Sequence, residues 1–221
     1  KRINFKNTDF RRILKQLPAR SVDQGIDSVN SIVETNRAAR LGQGVISNYE
    51  NAFILHTAPI LLIGSSISTA AFPRLSERLA SNRIDLFRKD FNDVLRTLMW
   101  LTTPVVVIAF FCRGYLARLI FKDGSVEIAT LLGLLSVAIF FRVLYTLFSR
   151  YFYAHKDTTT PLIISVFAIA LNIILVFTLA RPEAYGYVGL ALAQAITSAT
   201  ELIVIGIVMV LRDRKIITME F

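Results

Sequence analysis

The chain has 221 residues, 54% of them hydrophobic, and carries 25 Lys and Arg against 16 Asp and Glu. Its mean hydropathy of +0.54 exceeds what a water-soluble domain with a large wet surface averages, so the apolar excess requires the bilayer as its solvent. A net charge of +9 would suggest nucleic acid in a soluble protein, but here the bases cluster between apolar runs, and the single Cys112 excludes an internal disulfide or a cysteine metal cluster.

The chain begins at Lys1 with no continuous apolar stretch of signal-peptide type, and reads as an internal piece of a longer protein. Residues 8–17 predict a short amphipathic helix. Phe10, Ile13, Leu14 and Leu17 lie on one face, Arg11, Arg12 and Lys15 lie on the other, and Pro18 follows as a stop. Such a helix suits a membrane surface. Residues 21–41 are long enough to span but carry Asp23, Asp27, Glu34, Arg37 and Arg40. Residues 46–72 predict a span with Pro59 and Gly64 inside it, and 73–93 a charged loop or short surface helix. Further spans are expected at 95–116, 126–148, 161–180 and 187–211, with a polar loop at 150–160. The runs are too long, and lack the alternation, for a closed β-barrel.

The expected fold class is therefore an all-α membrane protein. It has a segment at 1–20, a lobe of six transmembrane helices over 21–212 and a tail at 213–221. If the amino-terminal side is inside, the inside segments hold eighteen Lys and Arg, and the outside loops hold only Arg113, Arg118, Lys122 and Arg181. The positive-inside rule then puts both ends in the cytoplasm.

No enzyme constellation is present in the sequence. His56 and His155 have no Cys or carboxylate at metal-ligand spacing, and no phosphate-binding or nucleophile motif occurs, so no cofactor is expected. Buried charge carries the information instead. A charge at the bilayer centre costs roughly 2.5–3.5 kcal/mol on insertion scales, so five on one helix must face protein or water. Residues 21–41 are expected to turn that charged face to a cavity and to bury Val22, Ile26, Val29 and Val33 on neighbouring helices. Glu34 is expected to pair with Arg37 or Arg40 when the cavity is empty. Glu201 should face another helix, Asn172 and Gln194 should serve as interhelical hydrogen-bond glue, and Arg142 should snorkel to the nearer interface.

Several stretches resemble the MurJ/MviN lipid II flippase family. LPARSVDQGIDSVNSIVET is similar to the start of that family's seventh helix, with Pro18, Arg20, Gln24, Asn30, Glu34 and Thr35 on commonly occupied positions. GSSISTAAFPRLSE is similar to the end of its eighth. FYAHKDTTTPLIISVFAIALNIIL followed by YVGLALAQAITS is similar to its eleventh and twelfth.

The resemblance implies the second lobe of a multidrug/oligosaccharidyl-lipid/polysaccharide exporter fold, whose partner is a first six-helix lobe. It also implies transport of a lipid-linked oligosaccharide diphosphate across the bacterial inner membrane, among membrane lipids and without nucleic acid. The family's eighth helix carries an Asp-Arg pair, and its Arg binds the diphosphate; Phe53 and Ile54 occupy those positions here. The expected cavity residues are Gln24, Asn30, Glu34, Arg37 and Arg40, with Arg37 and Arg40 as the available cations and Asp27 and Glu201 as candidates for ion coupling. The alternatives are a polysaccharide-lipid or cation-coupled drug exporter of the same superfamily, and a membrane scaffold that docks partners through the basic stretch from Arg74 to Arg96.

Overall fold

The computed structural model describes residues 28–121 and 126–216. The amphipathic helix expected at 8–17, Gln24, Asp27 and the tail beyond residue 216 lie outside them. The described part of α1 covers residues 28–41. α2 runs Val45–Ala80, α3 Ile84–Phe111, α4 Arg113–Ile120, α5 Val126–Ala154, α6 Thr159–Leu179 and α7 Val188–Arg212. Five of these (α2, α3, α5, α6 and α7) are long and apolar enough to cross a membrane.

The helices begin and end close to the expected bounds, with three differences, one of them a break at Cys112 that divides the span expected at 95–116 between α3 and the short α4. Pro73 does not end α2: its missing N–H is tolerated within the helix, and α2 continues to Ala80. The charged stretch 73–93 is therefore not a loop. It is the end of α2 and the start of α3, joined by a turn at 81–83. Likewise α5 continues through Arg150 to Ala154 and shortens the polar loop that follows.

Pro59 precedes a wide, π-type turn over Ile60–Ser65, where a helical backbone loses its regular ladder. Gly64 lies in that turn against the Val143 backbone of α5, where an added Cβ would come within 3.1 Å of Val143 Cα. α1 and α2 are joined at 42–44, where Gly44 takes a left-handed φ of 83° that few side chains accept.

α5 is the central helix and packs against α2, α3, α4 and α7, while α6 is held chiefly by α7. The interior divides into two regions. Near one end, α3 and α5 interlock large rings: Phe87, Phe91, Phe148, Tyr151 and Phe152 are buried together. Toward the other, α1, α2, α5, α6 and α7 meet through small residues, among them Ala38, Ala52, Ala180, Ala191 and Ala193.

The first end is also the basic one. Arg74 and Arg78 share Asp90, Arg88 holds Asp213, and Arg212 reaches Asp157. These pairs tie the end of α7 and the α5–α6 connection to the α2–α3 turn.

Candidate functional site

α1 presents Asn30, Glu34, Arg37 and Arg40 to different surroundings. Glu34 is buried and accepts hydrogen bonds on both oxygens, from Asn30 Nδ2 at 3.2 Å and from the Tyr49 hydroxyl of α2 at 3.0 Å. The expected pair with Arg37 does not form. Arg37 points to α6, where its Nη2 donates to the Phe177 carbonyl at 3.4 Å and its guanidinium lies 5.2 Å from the Phe177 ring centroid. Arg40 is exposed near the end of α1.

The orientation of α1 therefore corrects the expectation. Glu34 and Ala38 face the interior of the lobe, while Val29 and Ile32 are exposed and Val33 is only half-buried. The physical reason lies in the neighbours. Tyr49 and Asn30 satisfy the carboxylate inside, so burying Glu34 leaves no acceptor orphaned, whereas Val29 and Ile32 tolerate an apolar exterior.

Behind Asn30 the four helices α1, α5, α6 and α7 enclose a polar cavity of ≈180 Å³. α5 contributes Arg142, Tyr145 and Tyr153, and α6 contributes Ser165, Ala168, Ile169 and Asn172. α7 contributes Gln194, Thr197 and Glu201. Arg142 Nη1 meets Glu201 Oε2 at 2.9 Å, and Ser165 Oγ donates to Glu201 Oε1 at 3.2 Å. The Tyr145 hydroxyl lies 2.8 Å from Ser165 Oγ, so one chain of contacts links α5, α6 and α7.

Glu201 thus faces another helix, as the cost of exposing it requires. Arg142 does not snorkel: it stands well inside α5 as the partner of Glu201. A carboxylate at that depth demands a cation, and Arg142 supplies it from α5.

Asn172 donates to Gln194 Oε1 at 3.2 Å and to Thr197 Oγ1 at 3.3 Å, which makes it the expected link between α6 and α7. Its own carbonyl oxygen and that of Asn30 are buried without a partner among the described residues. The cavity wall thus holds unused acceptors beside an ion pair. Tyr49, Tyr145, Tyr153 and Ser165 were missed in the sequence, since hydroxyls on apolar helices carry no pattern of their own.

The two histidines are structural. His56 Nδ1 lies 2.9 Å from the Leu135 carbonyl, and His155 packs on Tyr151 with ring centroids 4.4 Å apart. No group of three or more metal-ligating side chains occurs among the described residues.

A profile of the family described as "Lipid II flippase MurJ" matches residues 1–220. A probable lipid II flippase MurJ of Borreliella burgdorferi is 28% identical over 191 residues, which cover 83% of this chain and 37% of that protein. Another from Rhizobium meliloti is 25% identical over 175 residues, 76% of this chain and 32% of the relative. The chain thus spans about a third of the length of these relatives.

Among solved structures, a lipid II flippase MurJ in an inward closed conformation superposes with a TM-score of 0.77 at 25% identity, over 94% of this chain and 45% of that one. A multidrug resistance MATE family transporter of the MOP superfamily, in an outward-facing conformation, matches with the same TM-score at 14% identity, over 87% and 43%. That second likeness concerns the fold alone. With five apolar helices, a polar interior and a family profile that runs nearly end to end, this multi-pass membrane protein belongs to the lipid II flippase MurJ family.

Proposed function

We propose that the chain is the second six-helix lobe of a flippase that carries a lipid-linked peptidoglycan precursor across the bacterial inner membrane. The observation that carries this reading is the polar cavity among α1, α5, α6 and α7, inside a bundle of MurJ type. A sugar diphosphate cannot cross hydrocarbon uncovered, and Arg, amide and phenol groups replace its water. Translocation needs no covalent step from this lobe. Asn30, which lines the cavity, and Glu34, to which it donates, are the α1 residues offered to the polar group, and Gln24 and Asp27 are further candidates outside the described residues. Arg37 and Arg40 supply positive charge at the opposite end from the basic cluster. The first lobe of the same transporter is the partner, and the positive-inside rule supports both ends of the chain in the cytoplasm.

The test is complementation. The native gene, expressed in bacteria depleted of their own flippase, restores growth; a well-inserted protein that does not restore it sinks the reading. If the Arg37→Ala, Arg40→Ala double variant restores growth as well as the wild type, those two residues do not contact the substrate.

A second reading draws on Glu34, a buried carboxylate with hydrogen bonds but no ion pair among the described residues. Such a group in a membrane helix suits cation coupling in an exporter of the same superfamily, with Asp27 as a further candidate. Glu201 is the weaker candidate because Arg142 already neutralises it. Efflux that depends on an ion gradient and is abolished by Glu34→Gln would favour this reading over lipid transport.

A further inference from the structure

We propose that Arg150 is a phosphate anchor for the lipid-linked substrate, fixed at the basic end of the lobe beside the cavity that Arg142 lines. The proposal rests on the flippase reading above and names one of its contacts. Arg150 stands on the last turns of α5. Its guanidinium carbon lies 5.7 Å from the centroid of Phe72 on α2 and 5.7 Å from that of Tyr153 on α5. Its Nη2 donates to Thr69 Oγ1 of α2 at 3.0 Å. Two rings and a hydroxyl therefore hold the planar group in place.

What they do not do is neutralise it. Four other arginines at this end have carboxylates: Asp90 takes Arg74 and Arg78, Asp213 takes Arg88, and Asp157 takes Arg212. Arg150 has no carboxylate partner among the described residues. Cation–π contacts orient a guanidinium and leave its outward N–H groups free to receive an anion. Thr69 is exposed, while Phe72, Arg150 and Tyr153 are half-buried, so the group is accessible.

Tyr153 connects this position to the interior. It packs near Arg150 and also lines the cavity that contains Arg142. Arg142 and Arg150 are separated by about 12 Å along α5 at 1.5 Å per residue. The central helix thus offers an unneutralised arginine at its end and a tempered one, shared with Glu201, further in. That order suits capture of a phosphate at the surface followed by passage of the attached polar group inward. The same chemistry would also attract the phosphate of an ordinary anionic phospholipid, so the experiment must separate the two.

The test uses protein made from the native gene, placed in phosphatidylcholine nanodiscs, with undecaprenyl diphosphate as the probe. Arg150→Gln weakens equilibrium binding about tenfold or more, because a charge-assisted contact is lost. Arg150→Lys keeps the charge but loses the fork, and weakens binding by about threefold. Thermal melting of each variant shows whether it folds. If Arg150→Gln does not fold, Arg150→Lys and Thr69→Val decide, and wild-type binding by both overturns the anchor. Wild-type binding by a folded Arg150→Gln overturns it directly. Displacement of the probe by phosphatidylglycerol as readily as by undecaprenyl diphosphate also overturns it, in favour of a general site for anionic lipid. A native gene that fails complementation sinks the flippase reading itself. Rescue by both the wild type and Arg150→Gln, with unchanged binding, sinks only the anchor.

Discussion

The two halves of the lobe's interior solve the same packing problem with different materials. On the α3–α5 side, Phe87, Phe91, Phe148 and Tyr151 fill space with rings whose centroids lie about 6 Å apart. On the α1–α6–α7 side, small residues bring the helices together, and polar groups occupy the space between them. Gly189 marks how close that approach is: a Cβ there would lie 2.3 Å from the Leu179 carbonyl oxygen. A lipid-immersed bundle gains little from moving apolar groups between hydrocarbon and protein, so close backbone contact and hydrogen bonds must hold this half. The ring-packed half has the makings of a rigid frame. The other half has a polar cavity, with two amide oxygens in its wall that are buried without partners among the described residues.

The largest expected effect breaks the polar half. Arg142→Ala leaves Glu201 buried without its cation, and removing one member of a buried pair costs about 3–5 kcal/mol. The double variant Arg142→Ala, Glu201→Ala removes both charges and regains most of that loss. Melting of the three proteins in detergent checks this; a double variant no better than the single one means the pair is not a closed electrostatic unit. The matching probe of the other half is Phe91→Ala. Phe91 is fully buried between Phe87, Phe148 and Tyr151, and its truncation costs about 3 kcal/mol. Its effect on transport should follow stability alone, since its ring partners Phe87, Phe148 and Tyr151 do not line the cavity.

The sequence made the frame legible and the site only partly so. Long apolar runs reveal spans because a bilayer demands a minimum length, and α6 and α7 begin and end within two residues of the expected bounds. The continuation of α2 through Pro73 was not legible, because a proline within a charged stretch reads as a stop. Glu201 was found because its burial demands a partner, and Asn172 because an amide in an apolar helix does. Arg142 was misread because snorkelling explains a lone arginine until the depth of its partner is known. The facing of α1 was misread for a related reason. Periodicity separates two faces, but only Tyr49, on another helix, decides which face is the inner one.

A smaller effect concerns the basic end, which closes the ring-packed half. Burial raises the Asp213 carboxyl, but the side-chain hydrogen bonds from Arg88, the Lys215 backbone N–H and the nearby positive charge outweigh it, so its pKa falls below the ordinary 3.8. Asp157 is also lowered: burial opposes the shift, and the Thr160 backbone and hydroxyl with Arg212 outweigh it. A carboxylate lowered on folding stabilises the protein above its unfolded pKa, and that contribution is lost as pH falls through the folded value. Stability should therefore be insensitive to these groups above about pH 5 and decline below about pH 4. Asp213→Asn should lower stability by about 1 kcal/mol at pH 7 and flatten the acid limb. An unchanged acid limb in denaturation between pH 3 and 5 would assign the decline to other carboxylates.

The smallest effect on stability is the sharpest test of the division between the halves. Asn172 makes two long hydrogen bonds, to Gln194 and Thr197, and keeps a buried carbonyl oxygen without a partner among the described residues. Leucine at this position removes both bonds and also the orphaned oxygen, so the gains and losses oppose each other. Interhelical hydrogen bonds in membrane bundles average about 0.6 kcal/mol, and the net change in stability for Asn172→Leu should lie within about 1 kcal/mol. Its effect on transport should be large if the cavity carries the substrate's polar group, since leucine fills part of the space and removes an acceptor. Complementation and melting, measured on the same variant, separate the two roles. Loss of rescue with unchanged melting assigns Asn172 to the pathway. Retained rescue with lowered melting makes it hydrogen-bond glue between α6 and α7, and removes the cavity from the transport route.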